Sequence, residues 1–290
     1  MDFETVVNEQ RQKIDEALLR YFEKKHKELV VKDQVAEENF TAMQNYVQGK
    51  GKRLRSICCI AAYHASGGKQ EEKVLLPALS VEFLLNASLV LDDMMDEDKE
   101  RRGIICAHTL LGEWFEKKVG KPAYQGNLFG SAKNRFAVSM SIIAANMLFS
   151  LGEQTIIDSA MDAEKKVNAI AAYEKTYRQL NLGQMLDVYY EYKPEVSEQN
   201  YLNMAYLKTG ALLGGALKIG AILGGASASQ LNAFEEYAKY AATTFQIQDD
   251  ILGMFGNEEK VGKPVDSDLK EGKKTLLALD TLERLTQEGR

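Results

Sequence analysis

Two short acidic clusters follow apolar, helix-like runs in this sequence. The first, "LVLDDMMDEDKERRG", contains Asp92 and Asp96, and the second, "FQIQDDILGMFG", contains Asp249 and Asp250. Residues four apart, such as Asp92 and Asp96, lie on one face of an α-helix, where like charges repel each other. Because folding alone gives no reason for this arrangement, the carboxylates are expected to bind a cation. Mg²⁺ suits such a site, since it combines few carboxylates with waters and a substrate phosphate.

A solvated helix end is the alternative explanation for one acidic cluster taken alone. Two acidic pairs that each end an apolar helix are harder to explain as solubilising charge. If the two helices face each other, the carboxylates form opposite walls of one cavity, where bare acids repel strongly. Bound cations and a polyanionic ligand would reverse the sign of that interaction.

Basic residues near the acids indicate the chemistry of this ligand. Lys52 and Arg55 lie in "GKGKRLRS" at a predicted helix start, where backbone N–H groups also attract anions. Arg101 and Arg102 follow the first acidic cluster. The other candidates are Lys208 and Thr209 in "YLKTG", and Lys263 and Lys273 around "GKPVDSDLKEGK". Each alone fits an ordinary surface residue. With the acids, they predict two phosphate-bearing substrates, one held through metal and one held by Lys and Arg directly.

The elements that position these residues are predicted to be helices. The chain has 290 residues, is 45% hydrophobic and contains only 4 prolines. A helical period recurs from residues 6–22 to 276–285, and no segment alternates apolar and polar residues for long. Because no break resembles an interdomain linker, we predict an all-α fold: one domain over residues 1–290, a bundle of about ten helices around a central cavity.

Charge, cysteines and hydropathy exclude several classes of protein. The net charge of −6 argues against nucleic acid as a partner. The 3 cysteines show no metal-ligand spacing, and the adjacent Cys58 and Cys59 are expected to serve as small apolar residues in a reducing compartment. The N-terminus shows no signal or transit peptide. The most apolar tract, residues 211–225, is too short to span a bilayer and is interrupted by Lys218. We therefore expect a soluble, cytoplasmic protein without a transmembrane segment.

Two glycine-bearing segments allow more than one interpretation. Residues 119–134 could form a lid or a partner contact, although a plain surface insertion is the simpler explanation. Farther on, Gly210 and Gly214 lie one turn apart, as do Gly220 and Gly224. This spacing favours close helix packing over phosphate binding. A dinucleotide-binding fingerprint would require a preceding strand, and none is predicted there.

Taken together and in order, the motifs "GKRLR", "DDMMD…RRG", "GQMLD", "KTG", "FQIQDD" and "GK…EGKKT" resemble those of the trans-isoprenyl diphosphate synthase (polyprenyl synthetase) family. The chain resembles its geranylgeranyl or longer-chain members in particular. The resemblance implies an all-α, usually homodimeric enzyme of the isoprenoid synthase type. Such an enzyme joins isopentenyl diphosphate head-to-tail to an allylic diphosphate (dimethylallyl, geranyl or farnesyl) and releases diphosphate. It uses Mg²⁺, about three ions per active site, and no organic cofactor.

The resemblance also implies a role for each candidate residue. Asp92 and Asp96 would hold two Mg²⁺ ions against the allylic diphosphate, and Asp249 would hold a third. Asp93 and Asp250 would support these ligands. The residues implied to bind the allylic diphosphate are Arg101, Lys208, Thr209, Gln246, Lys263 and Lys273. The residues implied to bind isopentenyl diphosphate are Lys52, Arg55 and Arg102. Gln184 and Asp187 match polar positions that face the cavity.

Small residues before the first acidic cluster predict the product length. Ala87 and Ser88 lie five and four residues before Asp92, about one helical turn deeper along the expected apolar tunnel. Family members that stop at fifteen carbons have bulky aromatic residues near these positions. We therefore predict an all-trans product of at least twenty carbons, with Leu84 as a candidate floor of the tunnel.

The sequence departs from the family pattern at three points, of which the first and the last keep other functions open. Leu85 stands where the family usually has His or Gln, Gly253 stands where a third Asp often lies, and the sequence ends soon after "EGKKT", where relatives usually add helices. One alternative is a non-catalytic or regulatory subunit of a heteromeric prenyl synthase, but both acid pairs are retained. The other is a terpene cyclase, which would not need the "GKRLR" and "RRG" elements of a second diphosphate site.

Overall fold

The computed structural model describes residues 2–29, 32–49, 51–101, 103–256 and 274–287. Nearly all of the described chain is helical, so the all-α prediction is confirmed. The helices are α1 (Phe3–Leu29), α2 (Gln34–Gln48), α3 (Leu54–Ala65), α4 (Glu71–Ala78), α5 (Ser80–Met95), α6 (Ala107–Val119), α7 (Ala132–Ile157), α8 (Ala163–Tyr192), α9 (Glu198–Ala205), a π-helix (Tyr206–Gly210), α10 (Ala211–Gly224), α11 (Ala228–Phe255) and α12 (Leu276–Gln287). Two short strands, β1 (Glu100–Arg101) and β2 (Ile104–Ile105), pair in antiparallel fashion.

The backbone divides into two compact units, which are described separately below. Unit 1 comprises residues 1–60 and 70–166, and unit 2 comprises residues 61–69 and 167–290. Each unit contains one of the two acidic clusters: the first ends α5 in unit 1, and the second lies near the end of α11 in unit 2. The prediction of a single domain over residues 1–290 stays a prediction.

The core of unit 1 is built on helices α5 and α7, which pack along each other and against α2 and α6. The α5 sequence "SVEFLLNASLVLDDMM" is apolar on several sides, as expected for a helix surrounded by protein. Its interior positions, including Phe83, Leu84 and Val90, have no exposed surface. One side of α5, at Leu85, Ser88 and Leu89, is only half-buried, and the acidic residues begin in the last turn.

The core of unit 2 depends on glycines that let helix backbones approach closely. A Cβ atom on Gly224 would lie 2.4 Å from the carbonyl oxygen of Tyr63, and one on Gly214 would lie 3.3 Å from the Cβ of Ala238. The predicted packing role is confirmed for these two glycines. Gly183 of α8 is as restricted as Gly224, because a Cβ there would lie 2.3 Å from the backbone nitrogen of Lys208.

Three helical stretches are long and apolar enough, by length and composition alone, to cross a membrane: Glu71–Met95, Ala132–Ile157 and Glu198–Gly224. In their most apolar windows, 67%, 44% and 56% of the residues are buried inside the protein. Much of this apolar surface therefore serves the packing of the helices. The expected absence of a transmembrane segment stays a prediction.

Candidate active site

The first acidic cluster lies where α5 ends. Asp96 caps the helix, and its backbone N–H donates to the carbonyl oxygen of Asp92 at 2.9 Å. The side chain of Asp92 is 14% exposed, whereas that of Asp93 is fully buried. The rotation of about 100° per residue in an α-helix explains this difference between adjacent residues. Asp92 and Asp96 therefore occupy the accessible face of the helix end, and Asp93 points into unit 1.

The buried carboxylate of Asp93 is held by three donors. The Tyr46 hydroxyl donates to its Oδ2 atom at 2.6 Å, the Cys106 thiol donates to the same oxygen at 3.3 Å, and Arg101 Nε donates to Oδ1. Burial, reinforced by the Asp93 charge, raises the pKa of Cys106 to about 12 and also raises the pKa of Tyr46. Both groups are therefore neutral donors at physiological pH.

Arg101 is placed beside the acids by the β1–β2 hairpin, whose turn uses Gly103 at φ +76°. Its Nη2 atom lies 3.1 Å from Asp92 Oδ2, so the guanidinium joins Asp92 to Asp93. Burial lowers the pKa of Arg101, but the carboxylates of Asp93 and Asp92 outweigh it and the pKa is raised. Arg101 thus remains a cation next to the acids, where it could also meet an anionic ligand.

The "GKGKRLR" segment at the start of α3 contains a residue that the sequence analysis missed. Lys52 is exposed and Arg55 is half-buried, whereas Arg53 between them is buried. Arg53 Nη1 lies 3.0 Å from Glu82 Oε2, and Arg53 Nε lies 2.7 Å from Asp15 Oδ1.

Arg53 also fixes the chain that precedes α3. Its Nη2 atom donates to the carbonyl oxygens of Val47 and Gly49 at 2.8 and 3.0 Å, and its backbone adopts the left-handed φ of +53°. These bonds hold the loop in which Lys52 lies. Because the partners of Arg53 are remote or backbone atoms, no sequence signal separates it from its basic neighbours.

The second acidic pair shows the same division between an accessible and a buried carboxylate. On α11, Asp249 is exposed and Asp250 is buried. Asp250 accepts hydrogen bonds from the Tyr201 hydroxyl at Oδ2 and from Gln246 Nε2 at Oδ1, the latter at 2.9 Å. Thr209 Oγ1 in turn donates to Gln246 Oε1 at 2.7 Å. The candidates Thr209, Gln246 and Asp250 thus form one hydrogen-bonded chain within unit 2.

Lys208 and Thr209 lie on the π-helix, where the "YLKTG" motif widens the helical turn. Such π segments occur often at functional sites. Lys208 Nζ donates to Asp187 Oδ2 of α8, and the close approach of Gly183 to the Lys208 backbone brings the two helices together. The "GQMLD" and "KTG" motifs therefore meet in unit 2, where the half-buried Gln184 also lies on α8.

The three residues predicted to set the product length differ in their surroundings. Leu84 and Ala87 are fully buried, whereas Ser88 is half-buried and donates to the carbonyl oxygen of Leu85 at 2.8 Å. Ser88 lies one turn before Asp92 on the accessible face of α5. Of the three, it is therefore the residue with surface that a ligand can reach.

Three predicted site residues, Arg102, Lys263 and Lys273, lie outside the described residues. Within the described ranges, no group of three or more His, Cys, Asp and Glu side chains is arranged to hold a metal ion. Asp92 and Asp96 nevertheless supply two carboxylates on one accessible helix face. This fits Mg²⁺, which takes most of its ligands from water and substrate phosphate.

The chain belongs to the polyprenyl synthetase family, whose family model matches residues 37–290. It is 32% identical over 278 residues to a short chain isoprenyl diphosphate synthase of Methanocaldococcus jannaschii, covering 96% of this chain and 73% of that protein. It is 31% identical to a geranylgeranyl pyrophosphate synthase of Geoglobus acetivorans over 88% of this chain and 72% of that protein.

A solved structure supports the same conclusion. The geranylgeranyl pyrophosphate synthase of Corynebacterium glutamicum, complexed with isoprenyl diphosphate and magnesium, superimposes with a TM-score of 0.88 at 26% identity, covering 100% of this chain and 79% of that chain. The chain is therefore a trans-prenyltransferase with the all-α fold of the isoprenyl diphosphate synthases.

Proposed function

We propose that this prenyltransferase condenses isopentenyl diphosphate head-to-tail with dimethylallyl, geranyl or farnesyl diphosphate in a Mg²⁺-dependent reaction. The product is an all-trans prenyl diphosphate of at least twenty carbons, and diphosphate is released. One observation supports this proposal most strongly. In each unit the second Asp of the acidic pair is buried and hydrogen-bonded, and the first Asp is the more exposed of the two: Asp92 at 14% of its side chain, beside Arg101, and Asp249 exposed on the surface.

The first Asp of each pair is proposed to hold Mg²⁺ together with Asp96. About three ions are expected per active site, and when bound they stabilise the diphosphate leaving group as Lewis acids. Asp93 and Asp250 do not touch the metal in this scheme, because their oxygens are occupied by hydrogen bonds inside each unit.

Cationic side chains are proposed to complete the allylic diphosphate site. Arg101 and Lys208 are partly buried, at 16% and 25% side-chain exposure, and each is held by a carboxylate. Positioned donors of this kind stabilise negative charge as it develops on a leaving group. The remaining proposed contacts are Thr209, Gln246, Lys263 and Lys273.

Isopentenyl diphosphate is proposed to bind Lys52, Arg55 and Arg102. The anchoring of Arg53 supports this role, because it fixes the loop that contains Lys52 and leads into α3, where Arg55 lies. Leu85 lies half-buried on the same helix as the first acidic cluster. Leucine offers no hydrogen bond, so this alkenyl substrate is expected to bind more weakly than in family members with His or Gln at that position.

The protein is further proposed to be a cytoplasmic homodimer. Helix α7 is apolar on several sides, yet Ile142 and Ile143 are 42% and 45% exposed, a surface suited to a second copy. Cys58, Cys59 and Cys106, which all lie within the described residues, form no disulfide with one another, and the proposed compartment is a reducing one.

The proposal is tested by incubating the purified protein with Mg²⁺, labelled isopentenyl diphosphate and each allylic starter in turn. Elongated prenyl diphosphates of twenty or more carbons are expected. A product confined to fifteen carbons would overturn the length assignment. Activity only after addition of a partner synthase would establish a regulatory subunit, and cyclic hydrocarbons would establish a cyclase.

A further inference from the structure

Each of the two acidic pairs makes the same type of contact, which is not evident from the sequence. In each pair, the buried second carboxylate accepts a hydrogen bond from a tyrosine of another helix. Tyr46 of α2 donates to Asp93, and Tyr201 of α9 donates to Asp250. Both tyrosines are themselves buried, with 7% and 3% of their surface exposed.

These hydrogen bonds lie where the helices need support. The first pair is in the last turn of α5, which ends at Met95, and the second is near the end of α11, which ends at Phe255. Helix ends fray because their last carbonyl groups lack partners within the helix. Without a tertiary contact, the direction of the acidic side chains would therefore be poorly fixed.

A hydrogen bond to the second Asp also orients the first. Asp92 and Asp93 are adjacent, so fixing Asp93 toward the interior fixes the rotation of the last turn of α5 and leaves Asp92 on the accessible face. The same geometry applies to Asp249 and Asp250 on α11. Each tyrosine is far along the chain from its carboxylate, by 47 residues for Tyr46 and 49 for Tyr201, so these contacts form only through tertiary packing.

We infer that Tyr46 and Tyr201 are positioning residues for the two acidic pairs. Each phenol holds the second carboxylate of a pair and thereby aims the first carboxylate at its ligand. This inference rests on the proposed function, in which Asp92, Asp96 and Asp249 bind Mg²⁺. Groups that orient metal ligands in this way commonly change metal affinity by about 10- to 100-fold when they are removed.

Tyr21 provides a matched control in the same chain. It is 7% exposed, and its hydroxyl donates to Asp158 Oδ2 at 3.1 Å. Here too a buried tyrosine donates to a carboxylate, although Asp158 itself is exposed. Neither residue belongs to the acidic clusters or to any proposed substrate contact. Tyr21→Phe therefore measures what the loss of a tyrosine–carboxylate hydrogen bond outside the acidic clusters does to stability.

The first experiment needs no ligand. Amide hydrogen exchange is measured by mass spectrometry for the wild type, Tyr46→Phe, Tyr201→Phe and Tyr21→Phe. Only Tyr46→Phe is expected to make exchange in the last turn of α5 about tenfold faster. Only Tyr201→Phe is expected to do the same at the end of α11. Unchanged exchange at both helix ends would overturn the inference.

The second experiment measures Mg²⁺ affinity by calorimetry in the presence of inorganic diphosphate. Tyr46→Phe and Tyr201→Phe are each expected to weaken Mg²⁺ binding at least about tenfold, with Tyr21→Phe matching the wild type. If all three variants lower the melting temperature equally and none changes Mg²⁺ affinity, the tyrosines are structural only and the inference is wrong.

The two proposals fail in different ways. Wild-type protein that binds no Mg²⁺ with diphosphate and makes no prenyl product contradicts the proposed function. If the wild type is active but Tyr46→Phe and Tyr201→Phe behave like Tyr21→Phe, only the inference is contradicted. Because the two bonds lie in different units, Tyr201→Phe carries the test alone if Tyr46→Phe fails to fold.

Discussion

Replacing Ser88 with phenylalanine is expected to shorten the product by at least one isoprene unit. Ser88 lies one turn before Asp92 on the accessible face of α5, so an added ring would extend into the space proposed for the growing chain. Its hydroxyl makes only a local hydrogen bond, to the Leu85 carbonyl oxygen. Losing that bond costs about 0.5–1.5 kcal/mol of the free energy of unfolding.

The neighbouring position would give a different result. Ala87 has no exposed surface, so a phenylalanine there must be accommodated inside the packed core of unit 1. Overpacking of this kind costs about 1–3 kcal/mol, which corresponds to a fall in melting temperature of about 2–12 °C for a protein of this size. Ala87→Phe thus combines a change in stability with any change in product.

The assay follows the chain length of labelled products by chromatography, with melting temperatures measured by calorimetry on the same samples. Ser88→Phe is expected to shift the products to shorter chains with a fall in melting temperature of about 1–6 °C, the cost of the lost hydrogen bond. Ser88→Ala loses the same bond and serves as the control with wild-type products. An unchanged product distribution in Ser88→Phe would refute the assignment of this face of α5 to the tunnel.

Three further predictions follow from individual contacts. Arg53→Met leaves Glu82 buried without its cation and should therefore lower the free energy of unfolding, measured by urea titration, by about 3–5 kcal/mol. A loss below about 1 kcal/mol would contradict this prediction. Lys208→Gln should reduce kcat/KM for the allylic diphosphate at least about tenfold, while the exposed Lys175→Gln does not; equal effects would exclude a direct role. Burial and the nearby Asp93 raise the pKa of Cys106 to about 12. At pH 8 its thiol should therefore resist iodoacetamide in the native protein and react after denaturation, as measured by mass spectrometry. Rapid alkylation of the native protein would contradict this.

Local features of the fold could be predicted from the sequence. The helical period and the scarcity of proline indicated helices, and the apolar runs before the acidic clusters correspond to α5 and α11. The glycine spacing predicted close helix packing, which Gly214 and Gly224 confirm. These features depend on neighbouring residues in the chain, which a single sequence displays directly.

Features that depend on tertiary packing could not be predicted. Tyr46 and Tyr201 have the composition of ordinary core aromatic residues, and nothing near them in sequence identifies their carboxylate partners. Arg53 is indistinguishable from Lys52 until its distant partners are known. The different burial of Ala87 and Ser88 depends on the rotation of α5 against its neighbours, which periodicity alone defines only coarsely.

The roles assigned to site residues stay predictions for a related reason. The sequence order of the motifs indicated which residues belong together, and the structure places several of them in hydrogen-bonded groups within each unit. A hydrogen bond to a neighbouring side chain does not define what a residue does to a substrate. Those roles are decided by kinetics and by metal binding.

The central claim is that Asp92 and Asp249, the first acids of the two pairs, act together in one Mg²⁺-dependent reaction. The most direct test is a double-mutant cycle on kcat with Asp92→Asn, Asp249→Asn and the double variant, with the exposed Glu236→Gln as control. In each single variant kcat should fall at least about 100-fold. In the double variant the fall in kcat should be far smaller than the product of the two single falls, because the effects of residues that act as a unit are not additive. Near-wild-type activity in either single variant, or losses that simply multiply, would contradict the claim.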